Sequence, residues 1–372
     1  MSITLHQLRA FRGPNIHSPN QGVFAQFSST LQLAQPLEYA LKDAAQRIGL
    51  IITRPQIEQY DSYYTLYFDT ELPQLAAEML KTLVQTIQTF GDPEFAETDF
   101  DELLWPLKQQ HRRQALHISS LQILAEARQR SIPYFLRDDG TIQLGYGKRG
   151  QTFWPQKQYN DGLIQGDSIS IKRQHNAPNI NWQQLGSIPI IACCGYKQHQ
   201  QCASLLAQQH PEAQLELKAD FANTQQLLTQ RDSQLAILAL DAQSLSHDGL
   251  AFQACQHSLI IDLPSNASEQ QAQELGLAML VTRSDGITVL NIDNPQLAAL
   301  REYCSSQLIV ISRDPTNSLL QQHCQQGGTA LFVRNQQLIF AQQQQYQLLK
   351  HAQPNTLDYA QLAVLAFHAL LS

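Results

Sequence analysis

The stretch Ile188-Pro-Ile-Ile-Ala-Cys-Cys-Gly-Tyr-Lys-Gln-His-Gln-Gln-Cys202 constrains the fold more than any other part of this chain. Ile188 to Ala192 has the length and apolar character of a buried strand, Gly195 supplies a turn, and a helix is expected through Leu206. A strand feeding a glycine turn and a helix is where α/β proteins cradle phosphate, because backbone N–H groups and the helix dipole both face the anion. The groups that normally complete such a loop are missing. There is no second glycine, no Gly-Lys-Ser/Thr, and no hydroxyl for magnesium.

With 372 residues, the chain has material for about two domains, each able to bury a core. A hydrophobic content of 43% suits globular folding, while charged residues reach only 15% and glutamine fills much of the surface. A net charge of -7 argues against a nucleic-acid binder that works by neutralising phosphates. The residues up to Ala10 lack a charged flank followed by an apolar core, so no signal peptide is expected. No apolar run approaches the ~20 residues that span a bilayer. Six cysteines without regular spacing suggest reduced thiols and a cytoplasmic location.

In the first half, Leu8-Arg-Ala-Phe-Arg-Gly-Pro-Asn-Ile-His17 opens as a short strand and breaks at Gly13-Pro14. Helices are expected over 37–49, 72–90, 100–113 and 119–130, from apolar residues three and four apart, with Gly91-Asp-Pro93 ending the second. Tyr63 to Phe68 alternates as a strand, and 132–136 with 141–144 form a hairpin around Asp138-Asp-Gly140. This is a mixed α+β pattern. Gly145-Tyr-Gly-Lys-Arg-Gly150 matches Gly-x-Gly-x-x-Gly, but Pro155 follows closely where a pyrophosphate-binding helix should run. The segment reads as a strand end with flexible glycines and two exposed cations.

Two blocks of this half resemble the cyanophycin synthetase family. Leu8-Arg-Ala-Phe-Arg-Gly-Pro-Asn15 is similar to its opening leucine–arginine–glycine–proline–asparagine signature. Ala125 to Tyr134, continuing through Gln143-Leu-Gly-Tyr-Gly-Lys-Arg149, is similar to a later block, and the two cover about the first 150 residues. Family members continue into an ATP-grasp domain that adds aspartate to the polymer. Here 155–186 is a polar connector too short to hold one, which implies that this ligase site is absent.

The second half resembles the middle domain of Mur-type ligases, the other ligase site of the same family. The family loop reads Gly-Thr-Asn-Gly-Lys-Thr-Thr. With Gly195 on its first glycine, Gln198 falls on the second, His199 on the lysine and Gln200 on the threonine. These changes remove a point charge, close backbone approach and a magnesium ligand. Gln234 to Asp241 is a buried strand ending in an acid near the family's glutamate, and His247 to Cys255 follows a family block. Leu259-Ile-Ile-Asp-Leu263 takes the place of the next strand, without the histidine and aspartate that should follow. Gly286 to Pro295 keeps the asparagine–x–aspartate–x–proline loop in Asn291 and Asp293, which in related ligases faces adenosine. Strands are expected over 308–312, 330–334 and 338–341, the last two as a hairpin, and a helix over 359–371. The family's small C-terminal domain is expected to be missing.

Cys194, His199 and Cys202 have possible ligand spacing, but zinc requires a fourth donor; they read as two buried thiols and a solvent-facing histidine. His111, His117 and Glu126 could form a hydrolytic metal site, though their spacing diagnoses nothing. Asp241 reads as a strand-end cap.

The expected architecture is α/β: an α+β N-terminal domain over 1–155, a linker over 156–186, and a degenerate, truncated Mur ligase-like domain of P-loop type, doubly wound, over 187–372. The resemblance implies a catalytically inactive relative that binds cyanophycin or its peptides, an intact cyanophycin synthetase, or both, as a homo-oligomer. Arg12, Asn15, Lys148 and Arg149 are the candidate polymer contacts. Gly195, His199, Gln200, Asp241, Asn291 and Asp293 form the candidate vestigial nucleotide site. No catalytic residue, cofactor, metal, nucleic acid or membrane partner is expected. The alternatives are a polymer-trimming hydrolase acting through the N-terminal domain and a residual ATP-dependent amide ligase.

Overall fold

The computed structural model describes residues 3–29, 34–89, 100–137, 139–155, 179–350 and 354–371. The helix stop at Gly91-Asp-Pro93, Asp138 of the hairpin turn and connector residues 156–178 lie outside the described residues. The chain divides into two compact units, one of residues 1–145 and 150–186, the other of residues 146–149 and 187–372.

The first unit runs β1 (Ile3–Phe11), β2 (Gly22–Ser29), α1 (Ala34–Ile48), β3 (Ile52–Gln59), β4 (Tyr64–Thr70), α2 (Pro73–Thr89), α3 (Phe100–Gln114), α4 (Ile118–Gln129), β5 (Tyr134–Leu136), β6 (Ile142–Leu144) and β7 (Gln151–Phe153). Strands β1 to β4 form an antiparallel sheet in the order β1-β2-β4-β3. Alternation sends Val23, Ala25 and Phe27 of β2 and Leu66 and Phe68 of β4 into one core with Leu37, Leu41 and Ile48 of α1 and Leu75, Met79 and Leu83 of α2. Strands β5 to β7 make a small antiparallel sheet whose Ile142, Leu144 and Phe153 pack with Ala127 of α4 and Leu185.

Three strands of this unit, β2, β3 and the three-residue β7, escape the sequence reading. β3 contains Pro55, normally a strand breaker; it is tolerated because β3 is an edge strand with a register shift between Thr53 and Gln56, where Arg54 turns to a φ of 52°. β2 carries Phe24 on the face opposite Val23 and Phe27, which blurs its alternation.

The second unit runs β8 (Ile190–Cys194), α5 (His199–Gln209), β9 (Ala213–Glu216), α6 (Phe221–Leu228), β10 (Leu235–Leu240), α7 (Ala242–Asp248), β11 (Cys255–Ile260), α8 (Glu269–Leu280), β12 (Thr282–Asn291), α9 (Pro295–Ala299), β13 (Gln307–Ser312), α10 (Ser318–Gln325), β14 (Thr329–Arg334), β15 (Gln337–Gln342), β16 (Gln345–Leu349) and α11 (Tyr359–Leu371). They build a nine-stranded sheet in the order β16-β15-β14-β13-β12-β11-β8-β10-β9. Pairing is parallel from β9 to β14 and antiparallel through β15 and β16. The chain leaves β8 toward β9 and β10 on one side, then returns to build β11 to β14 on the other. This is a doubly wound α/β sheet with its switch point at β8.

Ile191, Cys193, Ile237, Leu259, Val289 and Ile311 face α5 and α11, whose Leu206, Leu362, Val364 and Phe367 complete the larger core. On the opposite face α8 lies against β8, β11 and β12. Because helices cover both faces, the central strands read as continuous apolar runs and are recognisable from sequence. All six cysteines are free thiols and five are buried. Burial pushes the Cys193 and Cys194 thiols well above their ordinary value, so they serve as packing groups. Among the described residues, no helix is long and apolar enough to cross a membrane.

Candidate functional site

The carboxyl ends of β8, β10, β11 and β12 come together at the switch point, the edge where doubly wound sheets bind ligands. Residues 195–198 connect β8 to α5 there, and Gly195 N–H donates to Leu240 O at the end of β10. The backbone N–H groups of Tyr196, Lys197 and Gln198 then converge on one acceptor, the side chain of Asp262, at 2.9, 3.0 and 3.3 Å. Asp262 follows directly after Ile261, itself bonded through its N–H to Cys194 O. The loop therefore is an anion nest at a helix N-terminus, and a carboxylate of the chain itself occupies it.

The surrounding residues are arranged for this occupancy. α5 has no side-chain cap from its own N-cap residue, Gln198, so Asp262 supplies the missing acceptor. A Cβ on Gly195 would stand 2.3 Å from Asp262 Oδ1 and 3.3 Å from His199 Cβ; glycine is required here for close approach. Gln198 turns its Oε1 to accept the N–H of Ala360 at 3.1 Å, capping the first turn of α11. Gln200 donates to Leu217 O at 3.0 Å.

His199 is buried at 6% exposure, which corrects the solvent-facing placement expected from the sequence. Its Nδ1 has no hydrogen-bond partner. Burial lowers its pKa, while Asp241 and Asp262 pull in the other direction. Asp241 caps α7, accepting from Ser244 N–H at 2.7 Å. Cys194 and Cys202 are buried, and among the described residues no group of three or more histidine, cysteine or acidic residues could hold a metal ion. His117 caps α4 through its Nδ1, and the neighbouring Glu126 pairs with Arg130.

Asn291, at the end of β12, is buried; its Nδ2 donates to Ile261 O at 2.8 Å and its Oδ1 accepts from Asp293 N–H at 3.0 Å. It thus ties the β12 end to the residue preceding Asp262. Asp293 accepts from Ser312 and Tyr359 hydroxyls, Asn317 Nδ2 and Arg313 N–H. With Arg313, Asp314, Asn317 and Tyr359 it lines an open cavity of about 380 Å³. Burial and the adjacent Asp293 push the Tyr359 phenol up to about 12. The structure thus gathers Gly195, His199, Asp241, Asn291 and Asp293 along one sheet edge. Sequence reasoning missed Asp262, Asn317 and Tyr359. The acid in Leu259-Ile-Ile-Asp-Leu263, at the end of an apolar run beside the switch-point strand, was the available signal for Asp262.

The candidate polymer contacts lie elsewhere. In the first unit, Asn15 is 4% exposed and its side chain organises the turn after β1: Nδ2 donates to Gly13 O and Asn20 O, and Oδ1 accepts from the N–H groups of His17 and Ser18. Arg12 is half-buried on the same turn. Lys148 and Arg149 are exposed and belong to the second unit, in one 3₁₀ turn that runs into β7 with no helix following. Gly147 there has a φ of 56°, and a Cβ would meet Ser233 O at 2.4 Å, so close packing explains this glycine. Gly-x-Gly-x-x-Gly is therefore no dinucleotide loop.

A doubly wound α/β unit with a self-occupied anion loop defines the class. The chain belongs to the family DUF4938, described as a domain of unknown function, whose profile matches residues 2–311. It is also cyanophycin synthetase-like: 110 residues are 27% identical to cyanophycin synthetase of Crocosphaera subtropica, covering 27% of this chain and 13% of that enzyme's length. Among solved structures, it is similar to UDP-N-acetylmuramate:L-alanyl-gamma-D-glutamyl-meso-diaminopimelate ligase from Neisseria meningitides, at 11% identity and a TM-score of 0.34 over 51% of this chain and 68% of that one. A second is UDP-N-acetylmuramoylalanyl-D-glutamyl-2,6-diaminopimelate–D-alanyl-D-alanyl ligase from Acinetobacter baumannii, at 12% identity and a TM-score of 0.33 over 50% of this chain and 43% of that one.

Proposed function

We propose that this protein is a non-catalytic cyanophycin synthetase-like protein that acts by binding cyanophycin or its peptides, an intact synthetase, or both. The observation that carries the reading is the Asp262 carboxylate on the N–H groups of Tyr196, Lys197 and Gln198. A triphosphate seeking this loop meets a fixed negative charge where its own oxygens would bind, and like charges repel strongly at such range. His199 adds no compensating positive charge, since burial lowers its pKa and keeps its imidazole neutral near pH 7. Chemistry that needs ATP thus has no phosphate grip here, while the folded scaffold remains available as a binding surface.

On this reading the N-terminal domain, 1–155, meets the polymer, with Asn15 holding the turn that carries Arg12, whose guanidinium suits carboxylates. The domain over 187–372 preserves a ligase-derived shape for association, including self-association, in the cytoplasm. Titration calorimetry with ATP and magnesium should give no saturable heat. Purified protein should co-sediment with insoluble cyanophycin and leave its chain length unchanged, with or without a chelator. Micromolar ATP affinity would return the protein to the ligases; chelator-sensitive shortening of the polymer would make it a hydrolase.

A further inference from the structure

A second cleft, of about 490 Å³, lies at the opposite edge of the large sheet, where β8 and β10 begin. All of its lining belongs to the second unit. Its polar side chains are mostly donors. Lys148 Nζ donates to Gln234 Oε1 at 2.7 Å, which leaves the Gln234 amide to present its NH₂ group. Arg149, on the same turn, is exposed. His257 Nδ1 accepts the N–H of Ile287 at 3.1 Å, so the neutral ring carries its proton on Nε2. Burial keeps that ring neutral, with its pKa lowered to about 4. The lining carboxylate is Glu212, which leans toward His210 Nδ1 at 3.4 Å. Phe367 supplies an apolar wall and stands edge-on to His257 at 4.9 Å.

We propose that this cleft binds the free carboxylate of an amino acid or peptide C-terminus. Two cations, an amide NH₂ and an imidazole N–H outnumber the one carboxylate of the lining, Glu212, which leans toward His210. A ligand carboxylate supplies two oxygens for these donors, and the guanidinium of Arg149 can take both at once. The apolar wall accommodates the ligand's stem, and Glu212 accepts a cationic group when the ligand carries one. Turn 147–149 is pinned in place: Lys148 N–H donates to Ser233 O at 2.8 Å, and Gly147 packs against Ile188. The cations are therefore held at the cleft by backbone contacts. Nothing in this assignment requires the chain to bind polymer.

The test is titration calorimetry of the full chain with N-acetyl-L-arginine and with its carboxamide, which differ only in the carboxylate. The acid should bind saturably and the amide about tenfold more weakly or not at all, the difference expected for losing a charge-assisted pair. Arg149→Ala and Lys148→Ala, both at exposed positions and so compatible with folding, should each weaken the acid by about tenfold or more. Unchanged thermal melts of the variants check that the fold is retained. Equal affinity for acid and amide, no binding of either, or acid binding indifferent to both variants would overturn the proposal. Co-sedimentation with polymer, measured separately, fails or succeeds on other grounds.

Discussion

Replacing Asp262 by alanine tests the occupied loop most directly. The side chain accepts three backbone N–H bonds, two at 2.9 and 3.0 Å and a weaker one at 3.3 Å. Hydrogen bonds to a charged acceptor are worth about 1.5–3 kcal/mol each, net of water. The loop is open, with Tyr196 53% exposed, so water takes up the released N–H groups and the lower value applies. The anion at the start of α5 adds roughly 0.5 kcal/mol through the helix dipole. With the weaker third bond left out, the two shorter bonds and the dipole sum to about 3.5 kcal/mol, a fall of roughly 7–14 °C in the melting temperature for a unit of this size. Urea unfolding and thermal melts of Asp262→Ala and Asp262→Asn measure it, with the asparagine variant intermediate because its amide oxygen still accepts. An emptied nest should also admit external anions. Inorganic phosphate at ten times its dissociation constant would restore about 1.4 kcal/mol to Asp262→Ala and leave the native protein unaffected. An alanine variant within about 0.5 kcal/mol of the native protein, a scatter typical of inert surface changes, would refute the reasoning. So would equal stabilisation of both proteins by phosphate.

Gly195→Ala should destabilise by about 1–3 kcal/mol, because its Cβ displaces the Asp262 carboxylate; combining it with Asp262→Ala should cost less than the sum, and a denaturation cycle measures that coupling. Asp293→Ala removes an acceptor shared by Ser312, Arg313, Asn317 and Tyr359, and should cost about 2–4 kcal/mol while shifting the Tyr359 phenol downward in an ultraviolet titration. His17 is stacked on Phe24 at 4.4 Å, and burial, aided by Arg9, lowers its pKa to about 4. Since the unfolded chain takes up this proton near the ordinary value of 6.5 and the folded chain only near 4, stability is full above that upper value and falls as the pH drops between the two. The loss is about 2 kcal/mol between pH 7 and pH 5; His17→Phe should flatten that slope in urea melts, and an unchanged slope would count against the assignment.

Much of the fold was readable because the determining signals were local. Ile188 to Ala192 followed by Gly195 announced the switch-point strand and its turn, and the spacing of Leu362, Leu365 and Leu370 marked α11 over Tyr359–Leu371. Local signals misled where tertiary context decides. Pro55 concealed an edge strand, and the polar Ala213–Glu216 segment concealed β9, another edge strand that needs no continuous apolar run. The core of the candidate site was less legible. Asp262 meets N–H groups 64 to 66 residues earlier in the chain, and only the parallel register of β8 with β11 brings them together. His199 looked like a surface residue because nothing in the sequence shows which helix face lies against the sheet edge.

The acid in the loop also bears on what this protein can sense. A side chain fixed by its own backbone acts as a ligand that never dilutes, so its effective concentration exceeds that of solutes arriving by diffusion. A nucleotide or phosphate must displace it and then leave its charge unpaired nearby. If the protein is non-catalytic as proposed, a loop built this way keeps its shape whether nucleotide is scarce or plentiful.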